Sequence, residues 1–238
     1  VQAPSEFNFT LSTPSTKDGA ATTDPQDHIT TRPPNHKTKN PPKVNFLAHL
    51  TLSHFDTDLQ AGNFLGDFVK GKAINALPVE VQNGIQMHRA IDAMTDTDPG
   101  VKALNHLLAD RHGRYAGVIT DIGFDHFLCL NWEQFGPLEF DAFRVGTYWA
   151  LHARREAMSD RVQGYIEGML NHDWLTLYKT KEGMAHVFKR LRPRLSKPEL
   201  LDGVNESLTE YHDEFNQTFL TLFPRLQTLA DAYRPNPT

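Results

Sequence analysis

From Val44 onward, apolar residues recur at intervals of three and four, the period of helices with one buried face. Phe46, Leu47, Leu50 and His54 share a face of a first helix. The same spacing predicts a second helix over 59–70 and a third running from Pro78, a residue suited to a first helical turn, to Met94. Asp98-Pro99 reads as an N-cap followed by proline at the first helical position, opening a fourth helix that runs to Arg111. A fifth covers 114–131, and others are predicted over 140–158, 160–170 and 181–190. The last is long, from Pro198 to Phe223, with Leu200, Leu201, Val204, Leu208, Tyr211, Phe215, Phe219 and Leu222 on one stripe. Pro224 is expected to break or kink it. No alternating strand pattern of useful length appears, so the expected fold is an all-α, multi-helix bundle with short connections.

Residues 1–43 lack this pattern. They hold seven of the fifteen prolines and eleven Ser or Thr, with few apolar residues. Such a segment cannot bury enough surface to offset its ordering entropy, and a disordered N-terminal tail is expected there, with the folded domain over 44–238. The chain of 238 residues carries a formal net charge of −5, so bulk charge points neither to nucleic acid nor to a membrane surface. Its single cysteine, Cys129, permits no intrachain disulfide and fits a reducing cytoplasm. No apolar run approaches the roughly 20 residues of a membrane span. No basic region followed by an apolar stretch opens the chain, so a secretory leader is not expected.

The run Asp121-Ile122-Gly123-Phe124-Asp125-His126 concentrates the candidate chemistry. Asp121 and Asp125, four apart, share a helical face in an otherwise apolar helix, where charge is costly unless paired or bound to metal. His88 and Asp92 repeat the four-residue spacing upstream, and His49 and Asp67 lie on two further apolar segments. Each piece has a plainer reading. His49 could be packed, His88 and Asp92 a hydrogen-bonded surface pair, and Asp67 a cap or a partner of Lys70. Asp121 and Asp125 could pair with Arg111 or Arg114. Their joint occurrence points to a metal site built from His49, Asp67, His88, Asp121, Asp125 and His126. Mixed imidazole and carboxylate donors suit Mn²⁺, Fe²⁺, Zn²⁺ or Mg²⁺, and an oxygen-rich set favours Mn²⁺ or Mg²⁺. The glycines within these segments, Gly62, Gly66 and Gly123, allow either tight helix packing or close approach to a ligand. A second feature is the basic run Lys189, Arg190, Arg192, Arg194 and Lys197, either a solvated turn or a landing site for an acidic partner. It contains no interleaved aromatic residue for stacking single-stranded nucleic acid.

Four motifs in order resemble the bacterial acyl carrier protein phosphodiesterases. They are Asn45-Phe46-Leu47-Ala48-His49-Leu50, Gly62-Asn63-Phe64-Leu65-Gly66-Asp67-Phe68, Met87-His88-Arg89-Ala90-Ile91-Asp92 and Asp121-Ile122-Gly123-Phe124-Asp125-His126. Arg192-Pro193-Arg194-Leu195 and Phe223-Pro224-Arg225 extend the likeness, which covers the chain from Val44 on. The resemblance implies an HD-like helical fold, though Asp125-His126 reverses the usual His-Asp order. It also implies Mn²⁺-dependent release of 4′-phosphopantetheine from holo acyl carrier protein, with Asp67, Asp92 and Arg89 in catalytic roles. Asp92 or His126 would protonate the leaving serine oxygen, Arg89 and Lys70 would offset phosphoryl charge, and the 189–197 run would dock the acidic carrier. The alternatives are an HD-type hydrolase of a nucleotide or other small phosphoester, and a non-catalytic module that binds an acidic partner.

Overall fold

A computed structural model describes residues 46–235, all within one unit spanning 39–238. The expectation of a disordered tail over 1–43 lies outside the described residues. Twelve α-helices are present among the described residues: α1 (Leu47–Leu52), α2 (Thr57–Leu65), α3 (Val79–Thr97), α4 (Pro99–His112), α5 (Ala116–Leu130), α6 (Trp132–Phe135), α7 (Phe140–Arg154), α8 (Asp160–Asn171), α9 (Trp174–Leu177), α10 (Lys181–Leu191), α11 (Val204–Glu210) and α12 (His212–Asp231). Five short 3₁₀ turns link them, and no strand occurs among these residues, so the fold is all-α. None of these helices is long and apolar enough to cross a membrane.

Local chemistry sets the boundaries. Asp56 caps α2, accepting from the backbone N–H groups of Asp58 and Leu59 at 2.9 and 2.8 Å. Asp98 caps α4 as expected, through Gly100 and Val101, while its other oxygen meets Arg225 on α12 at 2.5 Å. The first helix is shorter than its apolar pattern suggests: it stops at Leu52, and His54 lies in the following turn. The second stops at Leu65, not Lys70, and the chain turns through Asp67 and Phe68 before a 3₁₀ segment over Gly71–Ala76.

The long C-terminal helix is corrected in two ways. It is divided into a 3₁₀ turn (Pro198–Leu201), α11 and α12: Gly203, at φ +74°, separates the 3₁₀ turn from α11, and Tyr211, at φ −99° and ψ 27°, separates α11 from α12. Pro224, in contrast, does not break α12 but sits inside it. It lies on the exposed side, where water can take the freed carbonyl, while Phe219 and Phe223 on the inner side stack at 4.9 Å and pack around Phe135.

Two packing contacts position the site. The α2 and α3 backbones touch at Gly62 and Gly84: a Cβ on Gly62 would overlap the Val81 carbonyl, and one on Gly84 the Leu59 carbonyl. Across the core, α12 packs on α3, α4 and α5, and α5 also carries α1. Because the obstacles at Gly62 and Gly84 are backbone atoms, they cannot swing aside. Gly84→Ala should therefore destabilise the protein by about 1–3 kcal/mol, as overpacked helix contacts do. A denaturant midpoint equal to that of the parent would contradict it.

Candidate active site

Three donor groups converge at the α1–α2–α3 junction. Ligand atoms of His49 (α1), His88 and Asp92 (both α3) all lie within 4.8 Å of one another. The two imidazoles stack with centroids 4.2 Å apart. Asp92 spans both rings, one oxygen 3.5 Å from His49 Nε2 and the other 3.4 Å from His88 Nε2. Asp67, in the turn after α2, brings an oxygen to 3.6 Å from His88 Nε2. Both histidines are buried, and both aspartates are about one-fifth exposed.

Asn63 on α2 determines what His49 can do. Its amide nitrogen donates to the His49 carbonyl at 2.9 Å, which orients its oxygen toward the imidazole. His49 Nδ1 therefore carries the hydrogen and donates to that oxygen at 2.8 Å. Burial, and next the adjacent His88, push the His49 pKa down, outweighing the opposing pull of Asp92 and Asp67. Both effects disfavour the charged ring, and its Nε2 faces the Asp92 carboxylate. Facing a carboxylate, that nitrogen is favoured only with a shared proton or a cation between them. The 3.4–3.6 Å separations are longer than N–H···O hydrogen bonds. They match the spacing of two donors sharing one ion at roughly 2.1 Å from each. The same turn of α2 also fits the second imidazole, because a Cβ on Gly66 would overlap the His88 ring.

The Asp121–His126 run divides. Asp121 shares a cleft with His49 and Asp92, walled by Phe124 and by Phe219, Leu222 and Phe223 of α12. Asp125 and His126 are not in the donor cluster. Asp125 is fully buried and caps α1 from across the core, accepting from Leu47 and Ala48 N–H at 3.1 and 2.8 Å and from the Tyr178 hydroxyl. His126 donates Nδ1–H to the Tyr178 carbonyl at 2.6 Å. These two expected ligands lie outside the donor cluster and tie α5 and the Tyr178 segment to the helix that carries His49. Arg114 bonds Tyr115 and Ser196. Arg89 and Lys70 are exposed, one beside His88 and the other three residues beyond Asp67.

The basic run also divides. Arg192 pairs with Asp202 at 2.6 Å. Arg190 lies over the Trp174 ring at 4.3 Å and Arg194 over Tyr165 at 5.3 Å, while Lys189 and Lys197 are exposed. The aromatic partners missing from the run itself arrive from α8 and α9. Asn63 went unassigned in the sequence reading although it stood within a quoted motif. A polar amide among Phe64, Leu65 and Gly62 was the available signal.

Two imidazoles and two carboxylates thus gather on packed helices beside a cleft. The chain belongs to the acyl carrier protein phosphodiesterase family, whose model matches residues 44–226. It is similar, over 79% of its length, to proteins of that name from several bacteria. That of Photorhabdus laumondii is 29% identical over 189 residues, 96% of the relative. That of Pectobacterium atrosepticum is 28% identical over 188 residues and 97% of its length. That of Escherichia coli O6:H1 is 30% identical over 193 residues and 97% of its length. No solved structure matches the chain. Membership places it among enzymes that hydrolyse phosphoric diesters.

Two outcomes test this geometry. Asn63→Leu should leave the helical circular dichroism intact, shift the His49 tautomer balance in ¹⁵N spectra and weaken divalent-cation binding about 10–100-fold; an unaltered tautomer would remove Asn63 from this role. Burial raises the Asp125 pKa from its ordinary 3.8 to about 7. The folded state therefore holds a proton that the unfolded state releases, and this contribution is full below about pH 4 and lost as pH rises through 7. Relative to Asp125→Asn, the wild-type melting temperature should fall between pH 5 and pH 8. A constant difference would contradict the raised pKa.

Proposed function

We propose that the protein hydrolyses holo acyl carrier protein to apo carrier protein and 4′-phosphopantetheine, with a divalent cation held by His49, His88 and Asp92 and with Asp67 beside it. The observation that carries this reading is the convergence of His49, His88 and Asp92, whose ligand atoms all lie within 4.8 Å of one another. His49, His88 and Asp92 put two imidazoles to one carboxylate, against three imidazoles and three carboxylates in the set read from sequence. This moves the preference away from Mg²⁺ and toward Mn²⁺, with Fe²⁺ and Zn²⁺ also compatible. When bound, such an ion supplies Lewis acidity, offsetting phosphoryl charge and lowering the pKa of water.

The chain's own residues perform the remaining tasks. Asn63 holds His49 in the tautomer that leaves Nε2 available. Gly66 leaves room for the His88 ring. Arg89, exposed next to His88 with no ion pair among the described residues, is available to offset negative charge on the phosphodiester. Of the two groups considered for protonating the leaving serine oxygen, Asp92 stands in the cluster, where a ligating carboxylate carries no proton to give, and His126 is turned toward Tyr178, so neither is assigned that step. The name shared by the relatives supports a carrier protein as the substrate.

The direct test is intact-mass analysis of holo carrier protein incubated with the enzyme and Mn²⁺. The carrier should lose the mass of its prosthetic arm, chelator should stop the reaction, and added Mn²⁺ should restore it. His49→Ala and Asp92→Asn should each lose activity by more than about 100-fold, and should lose bound metal in elemental analysis. An unchanged carrier mass would reject the activity, and full metal content in both variants would reject the ligand set.

A further inference from the structure

The cations on α10 and the turn after it are arranged in a way that net charge and family membership do not explain. Trp174, Leu177, Tyr178, Val187 and Leu191 line an apolar groove, and Arg190 and Arg194 stand on it. Each guanidinium lies on an aromatic face, Arg190 on Trp174 and Arg194 on Tyr165. Such stacking holds a long side chain in one place without neutralising it. Among the described residues no carboxylate pairs with either, although Arg144, Arg154, Arg192, Arg225 and Arg234 all have acidic partners. Burial and the charge of Arg194 both push the Arg190 pKa below its ordinary value, so the two cations repel. Lys189 and Lys197 add exposed positive charge close by in the chain. The indole N–H of Trp174 is buried and has no hydrogen-bond partner.

Uncompensated like charges, held rigid beside an apolar groove, are complementary to an anionic surface that also presents apolar side chains. We infer that this groove is the docking surface for the carrier protein, taking an acidic, amphipathic segment whose carboxylates meet Arg190 and Arg194 while its apolar side chains lie on Leu177, Val187 and Leu191. The inference rests on the carrier-protein reading above and narrows it. The docking charge belongs to the two aromatic-stacked arginines more than to the run as a whole, because Arg192 is already satisfied by Asp202.

The groove also adjoins the machinery that holds the site. Tyr178, one of its walls, hydrogen-bonds Asp125 with its hydroxyl and His126 with its carbonyl. Asp125 in turn caps the helix that carries His49. Docking and site therefore share a structural member.

The test uses the full chain and two probes. Apo carrier protein has no arm to cleave and reports docking alone by calorimetry, whereas holo carrier protein reports hydrolysis. Arg190→Glu with Arg194→Glu should raise both the apo Kd and the holo KM at least about tenfold, with kcat within about twofold. Leu177→Asp should weaken binding in the same direction, and Lys102→Glu, an exposed charge reversal on α4, should not. Arg190→Gln with Arg194→Gln removes only the charge and serves if the reversal misfolds. An apo Kd unchanged in the arginine and Leu177 variants overturns the inference. So does loss of binding to phosphatidylglycerol vesicles with carrier binding intact, which would assign the groove to a lipid surface. Failure to hydrolyse holo carrier protein rejects the activity instead, and leaves the apo measurement to decide the docking.

Discussion

A six-residue helix is too short to persist by itself, because few of its hydrogen bonds offset the cost of nucleation. The first helix of this fold carries His49, and its N-cap, Phe46, offers no side-chain acceptor. The missing cap comes from Asp125, nearly eighty residues away, whose two oxygens take the first free N–H groups. That contact places a buried carboxylate against the positive end of a helix, the partner such a group needs in a nonpolar interior. Removing it would leave the helix end without its acceptor and take one partner from the Tyr178 hydroxyl. The position of His49, and with it the whole donor cluster, depends on this distant cap.

The second constraint is the close crossing of α2 and α3. Helices that touch backbone to backbone bring the bases of their side chains together. Here that places Asn63, Gly66 and Asp67 from one segment against His88 and Asp92 from the other. The site needs no flexible loop to assemble it, because its donors stand on packed elements or two residues beyond them. Rigid placement of this kind limits reorganisation during reaction.

The all-α class and most helix positions were legible from apolar spacing, since each helix buries one face. Ends were less so: the Asp98 cap could be read from its own side chain, whereas the αL turn at Gly203 and the tolerance of Pro224 depend on partners elsewhere. In the site, His49, Asp67, His88 and Asp92 were recognisable as polar groups on apolar segments. Asp125 and His126 gave the same local signal for a different reason. A carboxylate buried to cap another helix and one buried near a cation look alike along the chain, and only the third dimension separates them. The basic run misled in a similar way: its flanks showed no aromatic residue because Trp174 and Tyr165 lie on other helices.

The stretch from Gly62 to Asp67 has one further consequence. Gly62 is confined by the α3 backbone, Asn63 by both ends of His49, Phe64 and Leu65 by the core, Gly66 by an imidazole, and Asp67 by its place beside His88. Six consecutive positions thus resist substitution for five different reasons. A saturation mutagenesis map scored on activity would show this hexapeptide as one uniform island of intolerance. It would rank the crossing glycine with the acidic residue at the site, and only a parallel map scored on abundance would separate the positions that hold the fold from those that act on substrate.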